Sequence, residues 1–434
     1  MRNSTAHACF VVALLPAAAA IAQDQSVPNI TPDNDNSAFL GTIVLSTSDL
    51  PVGEDGISVT SEGLALSNPA DLSELFVAEP TIAVGSSIPT SQKVYVNGIE
   101  ENNLAISIDG ARQNNKIFHH NTTTLIDPAL LKAARVDPGV APADAGPGAL
   151  AGALAYETKD VADLLEEGDN FGGTFKTEYD SNGDIFSNSL SLYGKEGGFE
   201  YLLFGKYASG NLRSDGDGDD IIGSGTDLLS GLGKVAYESD TGHRFEFSAE
   251  AVSDDETRPY RANIGSVLVG RPVPDTRPYD LERTNFTFTY TTTNPTAIWD
   301  PTIRLSYSGT ELFIDETDLT TQQTIFGETT SLSGEFSNRF ALSWGEVNAG
   351  IDFYDDTAEI DFVSIASPTE SYVAEEQLSN IGIFAQAQVE PSATSRVSFG
   401  FRGNFQDFEG VDGSSQTASG LSGNISGEID LTDR

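Results

Sequence analysis

Arg244-Phe245-Glu246-Phe247-Ser248-Ala249-Glu250-Ala251 alternates with a period of two. In an extended chain this puts Phe245, Phe247, Ala249 and Ala251 on one face and Arg244, Glu246, Ser248 and Glu250 on the other. The pattern returns in the sets Phe286, Phe288, Tyr290; Ile303, Leu305, Tyr307; Val347, Ala349, Ile351, Phe353; Ile383, Ala385, Ala387, Val389; and Val397, Phe399, Phe401, Phe405. Strand after strand with one greasy and one polar face fits a wall with lipid on one side and water on the other. The connections alternate as well. Short turns at 194–198, 239–242, 344–346 and 391–394 are interleaved with long polar loops at 211–226, 256–280, 315–328 and 359–376. Short turns at one rim and long loops at the other are the habit of outer-membrane β-barrels. A secreted β-sandwich is the competing reading, because its strands alternate too. Loops beyond about 15 residues and strongly aromatic strands disfavour it.

Composition agrees with strands. The 434 residues include 42 Gly, 24 Phe and 13 Tyr, and hydrophobic residues make up only 38%, below the roughly 45–50% of an average globular chain. With 65 acidic against 23 basic residues the formal charge is −42, which excludes nucleic acid as a partner for the body of the protein. Abundant carboxylates on loops and lumen keep a protein soluble in salt-rich surroundings. Residues 1–22 read as an export signal, with Arg2 in a polar start, an apolar run from Ala8 to Ala19, and Ala20-Ile21-Ala22 as a small-x-small cleavage site. The only cysteine, Cys9, lies inside it, so the mature chain is expected to have neither disulfides nor thiolate metal sites.

Upstream of the strands the texture differs. Residues 23–40 are polar, carry two prolines and have little to bury, which predicts a flexible tether. Residues 41–165 read as a small α+β domain. Asn68-Pro69-Ala70-Asp71-Leu72-Ser73-Glu74-Leu75-Phe76 predicts a short capped helix, and residues 127–134, with Pro128 near the start, predict another. Val94-Tyr95-Val96 and Leu104-Ala105-Ile106-Ser107-Ile108 predict strands, the second closed by the turn Asp109-Gly110. From 166 to 434 about twelve strands are expected. A domain of more than 100 residues fits inside a lumen only at about 22 strands, and Asp430-Leu431-Thr432-Asp433-Arg434 supplies no terminal aromatic. The expected fold is therefore an α+β plug followed by about half of a 22-stranded antiparallel transmembrane β-barrel, the chain being incomplete.

Four motifs, in order, carry a family resemblance. Gly41-Thr42-Ile43-Val44-Leu45-Ser46-Thr47 is a short extended box. Val94-Tyr95-Val96-Asn97-Gly98 leads to Leu104-Ala105-Ile106-Ser107-Ile108-Asp109-Gly110-Ala111-Arg112-Gln113. Asp127-Pro128-Ala129-Leu130-Leu131-Lys132 and Val136-Asp137-Pro138-Gly139 follow, and Gly148-Ala149-Leu150-Ala151-Gly152-Ala153 runs on to Thr158-Lys159-Asp160. Together they resemble the plug of TonB-dependent outer-membrane receptors, with Asn97-Gly98 where the family carries Arg-Gly. The resemblance implies active uptake without catalysis, an outer-membrane location, and pairing of Thr42, Ile43, Val44, Leu45 and Ser46 with a strand of TonB. Within the family, Gln113-Asn114-Asn115-Lys116-Ile117-Phe118-His119-His120-Asn121 is similar to the plug loop of haem and haemoglobin receptors.

That similarity makes His119 and His120 candidate axial ligands for haem iron, with Phe118 packing on the porphyrin. Arg258-Pro259-Tyr260 is echoed by Arg277-Pro278-Tyr279. Guanidinium forks pair bidentately with carboxylates, so these four Arg and Tyr residues are candidates for binding an acidic ligand in an external loop, or for pairing with Asp254, Asp255 and Asp280. Asp215, Asp217 and Asp219 resemble half of a calcium loop. No cofactor is expected beyond haem as cargo and calcium in that loop. Expected partners are TonB, outer-membrane lipid and an external haem or iron-chelate ligand. Uptake of a siderophore, cobalamin or oligosaccharide, and surface binding without transport, are the alternatives.

Overall fold

The computed structural model describes residues 57–86, 88–114, 124–139, 141–263, 273–392 and 394–429. The plug part holds strands β1 (Ile57–Val59), β2 (Ile82–Gly85), β3 (Lys93–Val96), β4 (Ile99–Glu100), β5 (Ala105–Ile108), β6 (Ala111–Arg112), β7 (Leu131–Pro138) and β8 (Gly152–Thr158). Helices α1 (Ser61–Ser67), α2 (Leu72–Leu75) and α3 (Val161–Leu164) flank them. One sheet has the order β1-β7-β8-β5-β6 and a second the order β2-β3-β4. Among the described residues of this part, only the β5–β8 pairing is parallel. The hairpin from β5 to β6 turns on Asp109 and Gly110, both at positive φ, as the Asp-Gly signal predicts. Leu72, Leu75, Phe76, Val94, Ile106, Ile108, Leu154 and Tyr156 close a buried apolar core.

Two local expectations need correction. Residues 127–134 form no α-helix. A single 3-10 turn, Pro128–Leu130, capped by Asp127, leads straight into β7. Leu131-Lys132-Ala133-Ala134 is helix-compatible by propensity, but β7 lies between β1 and β8 and gains ladder partners on both edges. The helix expected within 68–76 is shorter than its motif. Asp71 caps Leu72–Leu75, whereas Asn68, in the left-handed region, closes the preceding α1.

The wall is one antiparallel sheet of twelve strands among the described residues, each paired with its sequence neighbour. They are β9 (Phe171–Asp180), β10 (Ile185–Glu196), β11 (Phe199–Gly210), β12 (Thr226–Glu238), β13 (His243–Pro259), β14 (Thr276–Thr292), β15 (Pro301–Asp315), β16 (Gln323–Leu342), β17 (Gly345–Ser364), β18 (Tyr372–Ser392), β19 (Ser395–Glu409) and β20 (Ser415–Ile429). No helix among the described residues is long and apolar enough to cross a membrane; the crossing elements are these strands. A tilted crossing consumes about 9–11 residues, and β13 to β18 have 15 to 21. Their surplus continues as paired ladder beyond the bilayer. The ladders therefore run into both ends of the long loops expected at 256–280, 315–328 and 359–376: residues 256–259 and 276–280, 315 and 323–328, and 359–364 and 372–376 are strand.

Face polarity removes the sandwich alternative. Phe245 and Phe247 are 42% and 45% exposed, whereas Ser248 and Glu250 on the opposite face are 5% and 3% exposed. A sandwich buries its apolar faces; this sheet turns them outward and its polar face toward the plug. Cross-strand aromatic contacts run along the outer face, including Phe245–Tyr290, Phe247–Phe286 and Phe286–Tyr307. The inner face carries one apolar patch, where Leu125, Leu130 and Val161 of the plug meet Tyr193, Leu202, Leu232, Val252, Leu281 and Leu312.

Leu202 and Leu203 separate the two environments within one peptide unit, at 1% and 60% exposure. Leu203→Arg is expected to lower barrel stability by about 2–4 kcal/mol, the cost of a cation facing mid-bilayer lipid. Urea titration of the protein in lipid vesicles measures it, and an unchanged midpoint would show that this face does not meet lipid.

Candidate functional site

An exposed apolar wall with a polar interior makes the plug–wall contact the decisive site, because it determines whether the plug stays or moves. Its centre is Lys234 on β12, whose side chain is 6% exposed. Lys234 Nζ donates to Asp160 Oδ1 at 2.8 Å and to the Thr158 carbonyl at 3.2 Å, with Asp109 Oδ2 at 3.4 Å. Asp160 Oδ2 is held from the plug side by Lys132 Nζ at 2.5 Å. Asp109 also accepts from the Thr158 amide at 2.8 Å and from its hydroxyl at 2.6 Å. Burial pushes the Asp160 carboxyl up, but Lys234 and Lys132 outweigh it and hold the group well below the usual carboxylate range.

Further pairs fan out along the wall. Arg283 on β14 forks onto Glu250 at 2.5 and 3.1 Å and donates through Nε to the plug's Leu125 carbonyl at 2.6 Å. Arg112 of the plug meets Asp356 at 2.9 Å while lying over the Tyr354 ring. Lys206 and Ser230 both donate to Asp127. Arg304 packs so tightly on Gly110 that a Cβ there would meet its side chain at 2.4 Å. At the far side, Arg402 forks onto Asp352 with two bonds of 2.6 Å and reaches the Ala143 carbonyl, and Gln386 accepts from the Ala143 amide. Next to it Asn348 donates to Asp144 Oδ2 at 2.9 Å, while buried Asp144 Oδ1 has no partner. Burial, joined by Glu335 and Asp137, pushes Asp144 up to about 6.

The two tandem Arg-Pro-Tyr motifs do meet in space, but on strand ends and not in a free loop. Arg258 is fully buried on β13, doubly bonded to Asp254 at 2.5 and 2.7 Å and to the carbonyls of Gly223 and Gly225. Arg277 on β14 pairs with Glu316 at 2.9 Å, lies 4.3 Å from the Tyr260 ring centre and 5.0 Å from that of Tyr279, and donates to the Tyr279 hydroxyl at 2.7 Å. The carboxylates that answer these arginines belong to the chain itself. Asp215 Oδ1 accepts from the amides of Asp217 and Asp219 and so caps its own loop. Among the described residues no group of three acidic, His or Cys side chains is arranged to hold a metal ion. Residues 42–46 and Phe118, His119 and His120 lie outside the described residues.

Residues 54–153 match the TonB-dependent receptor plug domain family. A second match runs from the plug into the wall. The chain is 35% identical over 312 residues to the heme transporter BhuA of Brucella ovis, covering 72% of this chain and 46% of that protein. The chain carries a TonB-dependent receptor plug domain. It spans about half the length of the curated relatives it matches. Among solved structures, the FrpB iron transporter from Neisseria meningitidis superposes with a TM-score of 0.77 at 21% identity, covering 88% of this chain and 64% of that one. The Serratia marcescens hemophore receptor HasR superposes with a TM-score of 0.68 at 18% identity, covering 86% and 59%. At these identities the superpositions speak for the fold alone, a plug domain set against an antiparallel β-wall.

Two expectations follow from the Lys234 and Asp144 contacts. Lys234→Met strands Asp160 and Asp109 without their wall cation, a loss of about 3–5 kcal/mol for a broken buried pair; protease sensitivity of the plug in intact outer membranes reports it. The two shifted carboxyls respond to pH with opposite sign. Asp160, lowered from 3.8, contributes stability present above about pH 4 and lost as the pH falls below it. Asp144, raised from 3.8 to about 6, favours the folded state below about pH 4, and that contribution disappears as the pH climbs through 6. Asp144→Asn should flatten the second trend between pH 4 and 6 in urea midpoints; a slope identical to the parent would assign the trend elsewhere.

Proposed function

We propose that the receptor takes up haem across the outer membrane, energised through TonB. The observation that carries this reading is the 312-residue similarity to a protein named a heme transporter, which extends from the plug well into the wall. A plug held to its wall largely by ion pairs and hydrogen bonds suits such a task. Polar contacts exchange for water at small net cost, whereas a continuous apolar interface would not. In this reading His119 and His120 offer imidazole to the iron, and Phe118 packs against the ring. Residues 42–46 add as a strand to TonB, which pulls the plug against the Lys234 latch.

Deleting residues 42–46 in the source bacterium is expected to abolish growth on haem as sole iron source while leaving haem bound at the cell surface. Replacing His119 and His120 together by Ala is expected to lower surface haem affinity about tenfold or more, a loss of ~1.4 kcal/mol or greater. Growth on haem that persists without residues 42–46 would overturn energised uptake, and undiminished binding without both histidines would move the iron ligands elsewhere.

A further inference from the structure

Between the plug and strands β9 to β13 lies a cleft of about 750 Å³, within the roughly 300–1,000 Å³ typical of small-molecule sites. Six of the chain's 23 Lys and Arg residues line it, matched by six carboxylates, so it is neutral in a chain of net charge −42. Its cations are ordered by the sheet register. Lys176 on β9 stands opposite Ser189 on β10, which stands opposite Lys206 on β11. Lys159, at the end of β8, faces this row from the plug. Five of the six lining cations have a carboxylate partner: Lys132 with Asp160, Lys176 with Glu178, Lys206 with Asp127, Arg213 with Asp180 and Arg258 with Asp254.

Lys159 is the exception. Its Nζ donates to the Ala129 carbonyl at 2.7 Å and lies 5.8 Å from the Phe204 ring, and no carboxylate pairs with it among the described residues. An ammonium has three donors, so two remain for a ligand. Burial lowers its ordinary value, and Lys176 and Lys206 add to the effect against Asp127. A half-buried cation in that position is one an incoming anion would stabilise. Between its charged groups the cleft also presents apolar side chains, from Leu125 and Leu131 on the plug to Phe204 and Leu228 on the wall.

We propose that this cleft binds an amphipathic carboxylate during its passage past the plug, with Lys159 as the partner of the carboxylate and the leucine and phenylalanine surfaces as the partner of its apolar body. The proposal rests on the uptake reading and assigns it a second station, below the apex. Haem, with two propionates on an apolar ring, has this chemistry, and its dimethyl ester keeps the ring without the charge.

Pulse acetylation of outer membranes carrying the intact receptor, followed by mass spectrometry of Lys159, tests it. Exposed Lys195 serves as the internal reference. Haem at ten times its dissociation constant is expected to slow Lys159 labelling about tenfold by simple occupancy, whereas the dimethyl ester leaves it unchanged. Equal protection by acid and ester would overturn the carboxylate contact. Cells that grow on haem while neither compound protects Lys159 would overturn the site and leave uptake standing. Protection by haem in cells that cannot grow on it would keep the site and remove haem uptake as the function.

Discussion

A lysine ammonium buried in a β-wall is tolerable only if carboxylates surround it, and Lys234 is where this chain meets that constraint. Its carboxylate neighbours include Asp160 and Asp109, both from the plug. The wall cation therefore requires the plug to be present, and the plug carboxylates require the wall. Lys132 completes the arrangement from the plug side, so one acidic side chain, Asp160, bridges two cations on separate elements. Removing a member leaves a buried charge unanswered, which costs more than the intact pair contributes.

The same rule organises the rest of the inner face. Arg283 with Glu250 and Arg402 with Asp352 each put a guanidinium fork on a carboxylate and donate once more to a plug carbonyl, while Arg112 of the plug reaches Asp356 through Nε and lies over the Tyr354 ring. The apolar patch under Leu125, Leu130 and Val161 adds a compact hydrophobic contact on the side of β10 to β15. Elsewhere the plug has its own core and needs no wall to bury it. A self-sufficient plug seated on exchangeable polar contacts is a physical basis for a plug that can be displaced as a body, which is what the proposed uptake asks of it.

Reading the chain residue by residue reached the wall with little loss. Phe245, Glu246, Phe247 and Ser248 announce both the strand and its two environments, because lipid and lumen impose opposite polarity at every second residue. The Asp109-Gly110 turn was equally plain, since positive φ at two successive positions selects those residues. Residues 131–134 misled because Leu, Lys and Ala carry no strand preference; two neighbouring strands decided their conformation. The loops misled for a related reason. Polar residues beyond the bilayer look alike whether paired or not, and only the partner strand distinguishes them.

Outward and inward faces, the turn chemistry and the order of plug and wall follow from local pattern, because each depends on the spacing of side chains along one strand or on the torsions of one turn. The pairing of charges does not. Lys234 and Asp160 are 74 residues apart, and Arg112 and Asp356 are 244 apart; in a chain with 65 carboxylates no cation announces its partner. The fates of Arg258 and Arg277 show the same limit, since a buried guanidinium and one available to a ligand have the same sequence. Only the folding of wall around plug brought these charges within hydrogen-bond distance, and only there did Lys159 emerge as the cation of its cleft without a carboxylate pair among the described residues.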